Sequence, residues 1–285
     1  MLTDIFNLQL HVAHACNLSC DFCTHYSNHG HKGIVSLEQA REWLDGWKHR
    51  LNPHEFVLLG GEPTVHPQLA EFVSLSREAW PNTEIRLITN GFFLDRHPDL
   101  PRVLAEVKNS LLVLSIHHDS PEYLEKVEPA IRLVRQWEQE HDIRAEIRPS
   151  DQVWMRLYRG SGSDMEPFDD GDPRTSWKNC VTRHCTQLFE GKLWKCPPLA
   201  YLKLQKEKYG AGLSSDWDPY LKYEGLAIRP ATRSSKRSWC GRPSPTAACA
   251  RPRCTPSPWP TPCRARGSAH RSRACRRPKS RSRAA

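Results

Sequence analysis

Short apolar runs alternate with longer stretches of helical spacing through the first half of the chain. Strand candidates are Ile5–Val12, Glu55–Leu59, Glu84–Thr89, Leu111–His117 and Ile143–Arg148. Each is rich in Leu, Ile or Val and bounded by polar or Gly/Pro-bearing segments. Between them, apolar residues recur at helical intervals over Ser36–His49, Gln68–Ala79, Pro101–Lys108 and Pro121–Gln139. Ser36 stands where an N-cap belongs, with Glu38 in the first turn. In the fourth stretch Leu124, Val127, Ile131, Val134 and Trp137 form one core-facing stripe with no functional signal. Strands alternating with helices at this spacing predict an α/β fold with a parallel sheet and crossover helices. An open barrel and a doubly wound sheet fit the periodicity equally. In both, functional groups gather at the C-terminal ends of the strands.

The ends of the predicted strands carry chemistry. The first runs into a loop holding Cys16, Cys20 and Cys23 in the spacing C-x3-C-x2-C, with Phe22 just before the third cysteine. The second ends in Gly60-Gly61-Glu62-Pro63, the third in Thr89-Asn90-Gly91 and the fourth in Ser115-Ile116-His117-His118-Asp119. Three thiolates this close can hold three corners of a cubic iron–sulfur cluster and leave the fourth iron open. A zinc knuckle completed by His14 or His25, or a redox thiol pair, uses the same residues, although only one C-x2-C pair is present. Paired glycines let the backbone approach a ligand, and the proline fixes the turn. Neighbouring strand residues point to opposite faces, so at most one of His117 and His118 faces the interior, and an exposed or capping place is expected for them.

The cysteine triplet with Phe22, followed at the next strand end by Gly60-Gly61-Glu62-Pro63, resembles the radical S-adenosylmethionine (radical SAM) enzymes. That resemblance implies a partial (β/α)6 barrel with a [4Fe–4S] cluster on Cys16, Cys20 and Cys23. It implies that Gly60, Gly61 and Glu62 contact the amino group of the methionine part of SAM, and that Asn90 and Ser115 hold SAM or its ribose. It also implies reductive cleavage of SAM to a 5′-deoxyadenosyl radical that abstracts hydrogen from a substrate. The electron would come from an external donor of flavodoxin or ferredoxin type.

A second cysteine group, Cys180, Cys185 and Cys196, follows the Gly-, Asp- and Ser-rich segment Gly160–Asp172. Residues Phe189–Trp194 read as a hairpin turning at Gly191, and Cys180, Gly191 and Cys196 give C-x10-G-x4-C. This is similar to the opening of the SPASM and twitch extensions, which implies an auxiliary iron–sulfur cluster with Cys180 and Cys196 among its ligands. The family's downstream C-x2-C pair is missing, since Cys240, Cys249, Cys254, Cys263 and Cys275 form none. Cys185 is a substitute ligand, a buried thiol, or a hydrogen donor beside the substrate. A zinc site on Cys180, Cys185, Cys196 and His184 is the alternative.

Two substrate classes follow. One is a small sugar-like or aminoglycoside-like molecule undergoing epimerisation, for which Cys185 would donate hydrogen, or dehydrogenation, for which an auxiliary cluster would accept electrons. The other is a peptide or protein, as in SPASM-bearing maturases, disfavoured because no peptide-recognition segment precedes the barrel. From another class, a zinc-stabilised, non-enzymatic binding protein shares the cysteines.

The net charge of +9 changes the picture only locally. Residues 229–285 hold 14 Arg, 2 Lys and no acid, leaving 25 basic against 32 acidic side chains in the rest. A nucleic-acid function is therefore not read from the global charge. The chain divides into a core barrel (1–150), a twitch/SPASM-like auxiliary region (151–228) and an Arg/Pro/Ser-rich tail (229–285). The tail has no Val, Ile, Leu, Met, Phe or Tyr and is expected to be disordered. Such residues are also what GC-rich coding DNA yields out of frame, the reading preferred over a nucleic-acid arm. No run of about 18 apolar residues is present, and Leu2-Thr3-Asp4-Ile5 does not open a secretory signal. The expectation is a cytoplasmic protein without membrane contact, its cysteines metal ligands or thiols before disulfides.

Overall fold

The computed structural model describes residues 2–150, 157–168 and 171–228. Five strands, β1 (Thr3–His11), β2 (Leu51–Leu59), β3 (Glu84–Thr89), β4 (Ser110–Ile116) and β5 (Ala145–Pro149), lie parallel and side by side in chain order. Four helices make the crossovers: α1 (Leu37–Trp47), α2 (Leu69–Ala79), α3 (Leu100–Glu106) and α4 (Pro121–His141). Ser36 caps α1 as a full capping box, its side chain accepting from the Gln39 amide while Gln39 reaches back to the Ser36 amide. Ser120 caps α4, with Pro121 in the first turn where no N–H is needed.

One register row shows what holds the sheet to its helices. Leu10 pairs with Leu58, Leu58 with Leu87 and Leu87 with Leu112, and all four are 0% exposed. Truncating any of them to Ala removes a fully packed side chain, a loss of about 2–5 kcal/mol. Neighbouring positions face the other way, so Gln9, Ile88 and Ser115 line the concave face.

The fold is the parallel α/β architecture of a partial barrel. Its sixth parallel strand, β6 (Cys185–Phe189), joins at β1 instead of beyond β5, pairing Asn7 with Cys185 and Leu10 with Leu188. A hairpin turn at Glu190 and Gly191, both in the left-handed region, leads into the antiparallel β7 (Lys192–Trp194). The strand order is thus β5-β4-β3-β2-β1-β6-β7. β2 begins earlier than expected and includes Pro53. It tolerates the proline because pairing with β3 begins only at Glu55, so no N–H is required there on that side.

After β5 come α5 (Pro173–Asn179), then α6 (Pro197–Tyr209) behind the hairpin, and a short α7 (Asp218–Leu221). Tyr158, Met165, Trp194, Tyr201, Leu213 and Trp217 build a second apolar core that also takes Tyr26 from the cysteine loop. No helix among the described residues is long and apolar enough to cross a membrane. The expected disorder of residues 229–285 lies outside the described residues.

Candidate functional site

The C-terminal ends of β1 to β4 and the start of β6 open on one cavity of about 250 Å³. Its lining includes Cys16, Cys20, Cys23, Gly60, Gly61, Glu62, Asn90, Ser115, His117 and Cys185. Every residue of the first cysteine loop and its neighbouring strand ends that the sequence singled out for a ligand is brought to it.

The cysteine loop is held by the end of β2. The Gly61 amide donates to the Ala13 carbonyl at 2.7 Å and the Glu62 amide to the Ala15 carbonyl at 2.9 Å. A Cβ on Gly60 would come within 2.6 Å of the Ala13 carbonyl oxygen, and one on Gly61 would meet Ala15. The glycine pair is needed for this close approach, whatever else it touches. Phe22 sits at φ 59°, a left-handed conformation that turns the chain between Cys20 and Cys23.

Burial pushes the Cys16 thiol up to about 11, and burial together with the neighbouring Cys23 and Cys16 thiols pushes Cys20 up to about 12. The thiols therefore resist ionising together until cationic metal compensates them. Among the described residues, no three His, Cys, Asp or Glu side chains meet in the shell of a single metal ion.

Glu62 is buried and wholly engaged. One carboxylate oxygen accepts from the Thr64 amide at 2.9 Å and from the Thr64 and Thr89 hydroxyls, and the other from the Asn90 amide at 2.8 Å. Burial raises its pKa, and these four hydrogen bonds pull it back. The side chain is a buckle between the ends of β2 and β3. Asn90 donates to the Asn17 side chain at 2.8 Å and lies 3.9 Å from the Cys16 sulfur, so it steadies the cysteine loop. Ser115 is buried at the cavity wall.

The two histidines after β4 divide as alternation requires. His117 faces the cavity with Nδ1 3.9 Å from the Cys20 sulfur, while His118 accepts from the Ser120 amide at 2.9 Å and shapes the turn into α4. The expectation of an exposed or capping place thus holds for His118 only. Gln9 and Thr182 also line the cavity without a sequence signal. Strand alternation in β1 could have flagged Gln9, which sits among apolar neighbours.

In the second group Cys180 and Cys196 are buried, and Cys185 lies at the start of β6 on the shared cavity. Among the described residues these thiols do not gather, with His184 or any other His, Cys, Asp or Glu, into a group of three that could hold a metal ion. His184 packs instead against Phe6 and Trp177, at ring distances of 6.0 and 6.3 Å.

The family model of the radical SAM superfamily matches residues 10–147. The chain carries a radical SAM domain. That domain works with a [4Fe–4S] cluster and SAM, and three thiols facing a cavity with an exposed glycine backbone fit both. The chain is 26% identical over 124 residues to the GTP 3',8-cyclase of Aquifex aeolicus (strain VF5), covering 42% of this chain and 38% of that protein. It is 29% identical over 109 residues to the GTP 3',8-cyclase of Nautilia profundicola, covering 34% of this chain and 33% of the other. The chain thus spans little more than a third of the curated relatives it matches. Among solved structures it is similar to BtrN in complex with AdoMet and 2-DOIA (15% identity, TM-score 0.48, 77% of this chain and 87% of that one). It is also similar to Streptococcus suis SuiB bound to S-adenosylmethionine (20% identity, TM-score 0.43, 51% and 34%). Both TM-scores are too low to transfer a substrate or a mechanism.

Proposed function

We propose that the protein is a radical SAM enzyme acting on a small, polar, sugar-like or aminoglycoside-like molecule. The observation that supports this most is the shared cavity, which brings Cys16, Cys20 and Cys23 together with a further thiol, Cys185. Cys16, Cys20 and Cys23 hold the cluster, and the Gly60–Gly61 backbone, Asn90 and Ser115 hold SAM. When bound, these cofactors supply a 5′-deoxyadenosyl radical that removes a hydrogen atom from an unactivated carbon. Gln9, Thr182 and His117 offer hydrogen bonds suited to hydroxyl or amino groups.

Cys185 is the hydrogen donor in this reading. Burial pushes its thiol up to about 11, so the S–H is intact at neutral pH. Transfer of that hydrogen atom to a substrate carbon radical breaks S–H, forms C–H and leaves a thiyl radical. One electron from an external flavodoxin- or ferredoxin-type donor and one proton restore the thiol. Epimerisation is the outcome this arrangement favours. Cys180 and Cys196 hold an auxiliary iron–sulfur centre.

Protein reconstituted without oxygen should contain iron and sulfide and, with dithionite and SAM, release 5′-deoxyadenosine. Cys16→Ala, Cys20→Ala and Cys23→Ala should each abolish release, whereas Cys185→Ala should retain it. Stoichiometric zinc without sulfide in folded protein would overturn the enzyme reading. Wild-type release from any one of the three loop variants would remove that cysteine from the ligand set.

A further inference from the structure

Gln9 on β1 and Gln187 on β6 are register partners across the parallel pair, and Tyr201 of α6 reaches Gln187 from above. All three side chains are buried, and of the three only Gln9 lines the cavity. Hydrogen bonds join them in a row. The Tyr201 hydroxyl donates to Gln187 Oε1 at 3.0 Å, and Gln187 Nε2 donates to Gln9 Oε1 at 2.6 Å. Gln187 Nε2 also donates to the Cys185 carbonyl at 3.1 Å.

A carboxamide accepts at one end and donates at the other, while the two ends are alike in shape. Its direction is therefore set by neighbours that cannot change role. A backbone carbonyl only accepts, so the Cys185 carbonyl fixes the nitrogen of Gln187 on its own side. Burial raises the Tyr201 pKa well above its usual value, so the hydroxyl keeps the proton that it donates. Turning Gln187 over would set its oxygen against the Cys185 oxygen, and turning Gln9 over would set its amide hydrogens against those of Gln187. Either reversal leaves like groups facing each other away from water, a costly arrangement. Gln9 thus has its oxygen engaged by Gln187 and its nitrogen on the side of the cavity and Cys185. That nitrogen carries two N–H groups. One serves the Cys185 sulfur, which leaves a second for a molecule in the cavity.

We propose that Gln9 is a specificity-determining residue that donates an N–H to a hydroxyl or carbonyl oxygen of the substrate and rejects an ammonium group at that position. This rests on the reading of the cavity as the site of a small polar substrate. An oxygen accepts from the fixed N–H, whereas an ammonium has only donors and would meet N–H with N–H. Gln187 and Tyr201 are positioning residues, which act only through the direction that they impose on Gln9.

The test uses full-length protein reconstituted without oxygen and loaded with SAM, with two ring probes of one shape: cyclohexanone, an acceptor, and cyclohexylammonium, a donor. Ligand-observed NMR gives the ratio of their affinities for the wild type and for Gln9→Met, in which Gln187 keeps the Cys185 carbonyl as its partner. The wild type should prefer the ketone, and Gln9→Met should lower that preference by about tenfold, the scale of one hydrogen bond. A ratio is read because a merely structural change weakens both probes alike. A wild type that binds the two equally or favours the ammonium would overturn the role of Gln9, as would a preference that survives in Gln9→Met, and the wild-type comparison stands even if the variant folds poorly. Binding of neither ring would remove the small-substrate reading of the cavity and the inference with it. Release of 5′-deoxyadenosine from the same preparation is measured separately, so failure of SAM cleavage is told apart from failure of Gln9.

Discussion

Glu62 gathers more polar contacts than any other carboxylate near the cavity, and none is to solvent. Its four donors come from Thr64, Thr89 and Asn90, so it ties the turn after β2 to the turn after β3. Glu62→Gln would aim an amide N–H₂ at groups that can mainly donate. The expected loss is about 2 kcal/mol, the scale for disrupted hydrogen bonds to a buried charged group. A urea melt of the metal-free variant reads it directly, and an unchanged midpoint would mean the buckle carries no weight. Asn90 would shift with the buckle, and with it the contact to Asn17 in the cysteine loop. His11 shows the opposite situation. It is buried against His14, His25 and Tyr201, and neither ring nitrogen finds a well-formed hydrogen bond, although the Gly60 backbone lies close.

At the scale of elements, the segment after Cys23 is clamped by the second core. His29 is bonded through Nδ1 to the Tyr209 hydroxyl at 2.9 Å and through Nε2 to that of Tyr158 at 3.3 Å, while His31 meets Gln205 and the Lys208 ammonium donates to the His29 carbonyl. Burial, aided by His31 and Lys208, lowers the His29 pKa to about 4, and burial with neighbouring histidines lowers His11 well below its usual value. Both groups bind protons in the unfolded chain at a pH where the folded chain does not. Stability from them is present above about 6.5 and is lost as pH falls through the folded values. Urea midpoints of metal-free protein should therefore drop between pH 6.5 and pH 4, and His29→Gln should flatten part of that drop. A slope that His29→Gln leaves untouched would take His29 out of the linkage.

The same scale shows what could be read in advance. β1 to β5 and α1 to α4 were legible because each repeats its own period between polar or Gly/Pro-bearing breaks, with the Ser36 cap marking the start of α1. α6 was not, because Leu199, Ala200, Tyr201 and Leu202 are buried one after another, which leaves no stripe for periodicity to show. The cavity thiols and glycines were legible from spacing. His117 was not, because strand alternation shows that one of two histidines turns inward but does not say which.

At the scale of the molecule, the β6–β7 hairpin is the shared member. Leu188 and Leu193 join the first apolar core and Phe189 and Trp194 the second, while β6 pairs with β1 in the sheet. Neither core can lose the hairpin without exposing the other, which favours one cooperative transition. Unfolding of metal-free full-length protein followed by far-UV circular dichroism and by tryptophan fluorescence should give coincident curves. Trp47, Trp80 and Trp137 report the first core and Trp194 and Trp217 the second. Two separated transitions would show that the second core stands apart from the sheet.

The clamp on His29 also imposes an order of events on biosynthesis. Tyr209 follows His29 by 180 residues, a delay of roughly 10–40 s at ordinary rates of translation. Throughout that interval the segment after Cys23 has left the ribosome without the Tyr209 and Lys208 contacts that later fasten it. Nascent chains thus carry Cys16, Cys20 and Cys23 in a loop whose β2 side is tied well before its other side meets the second core.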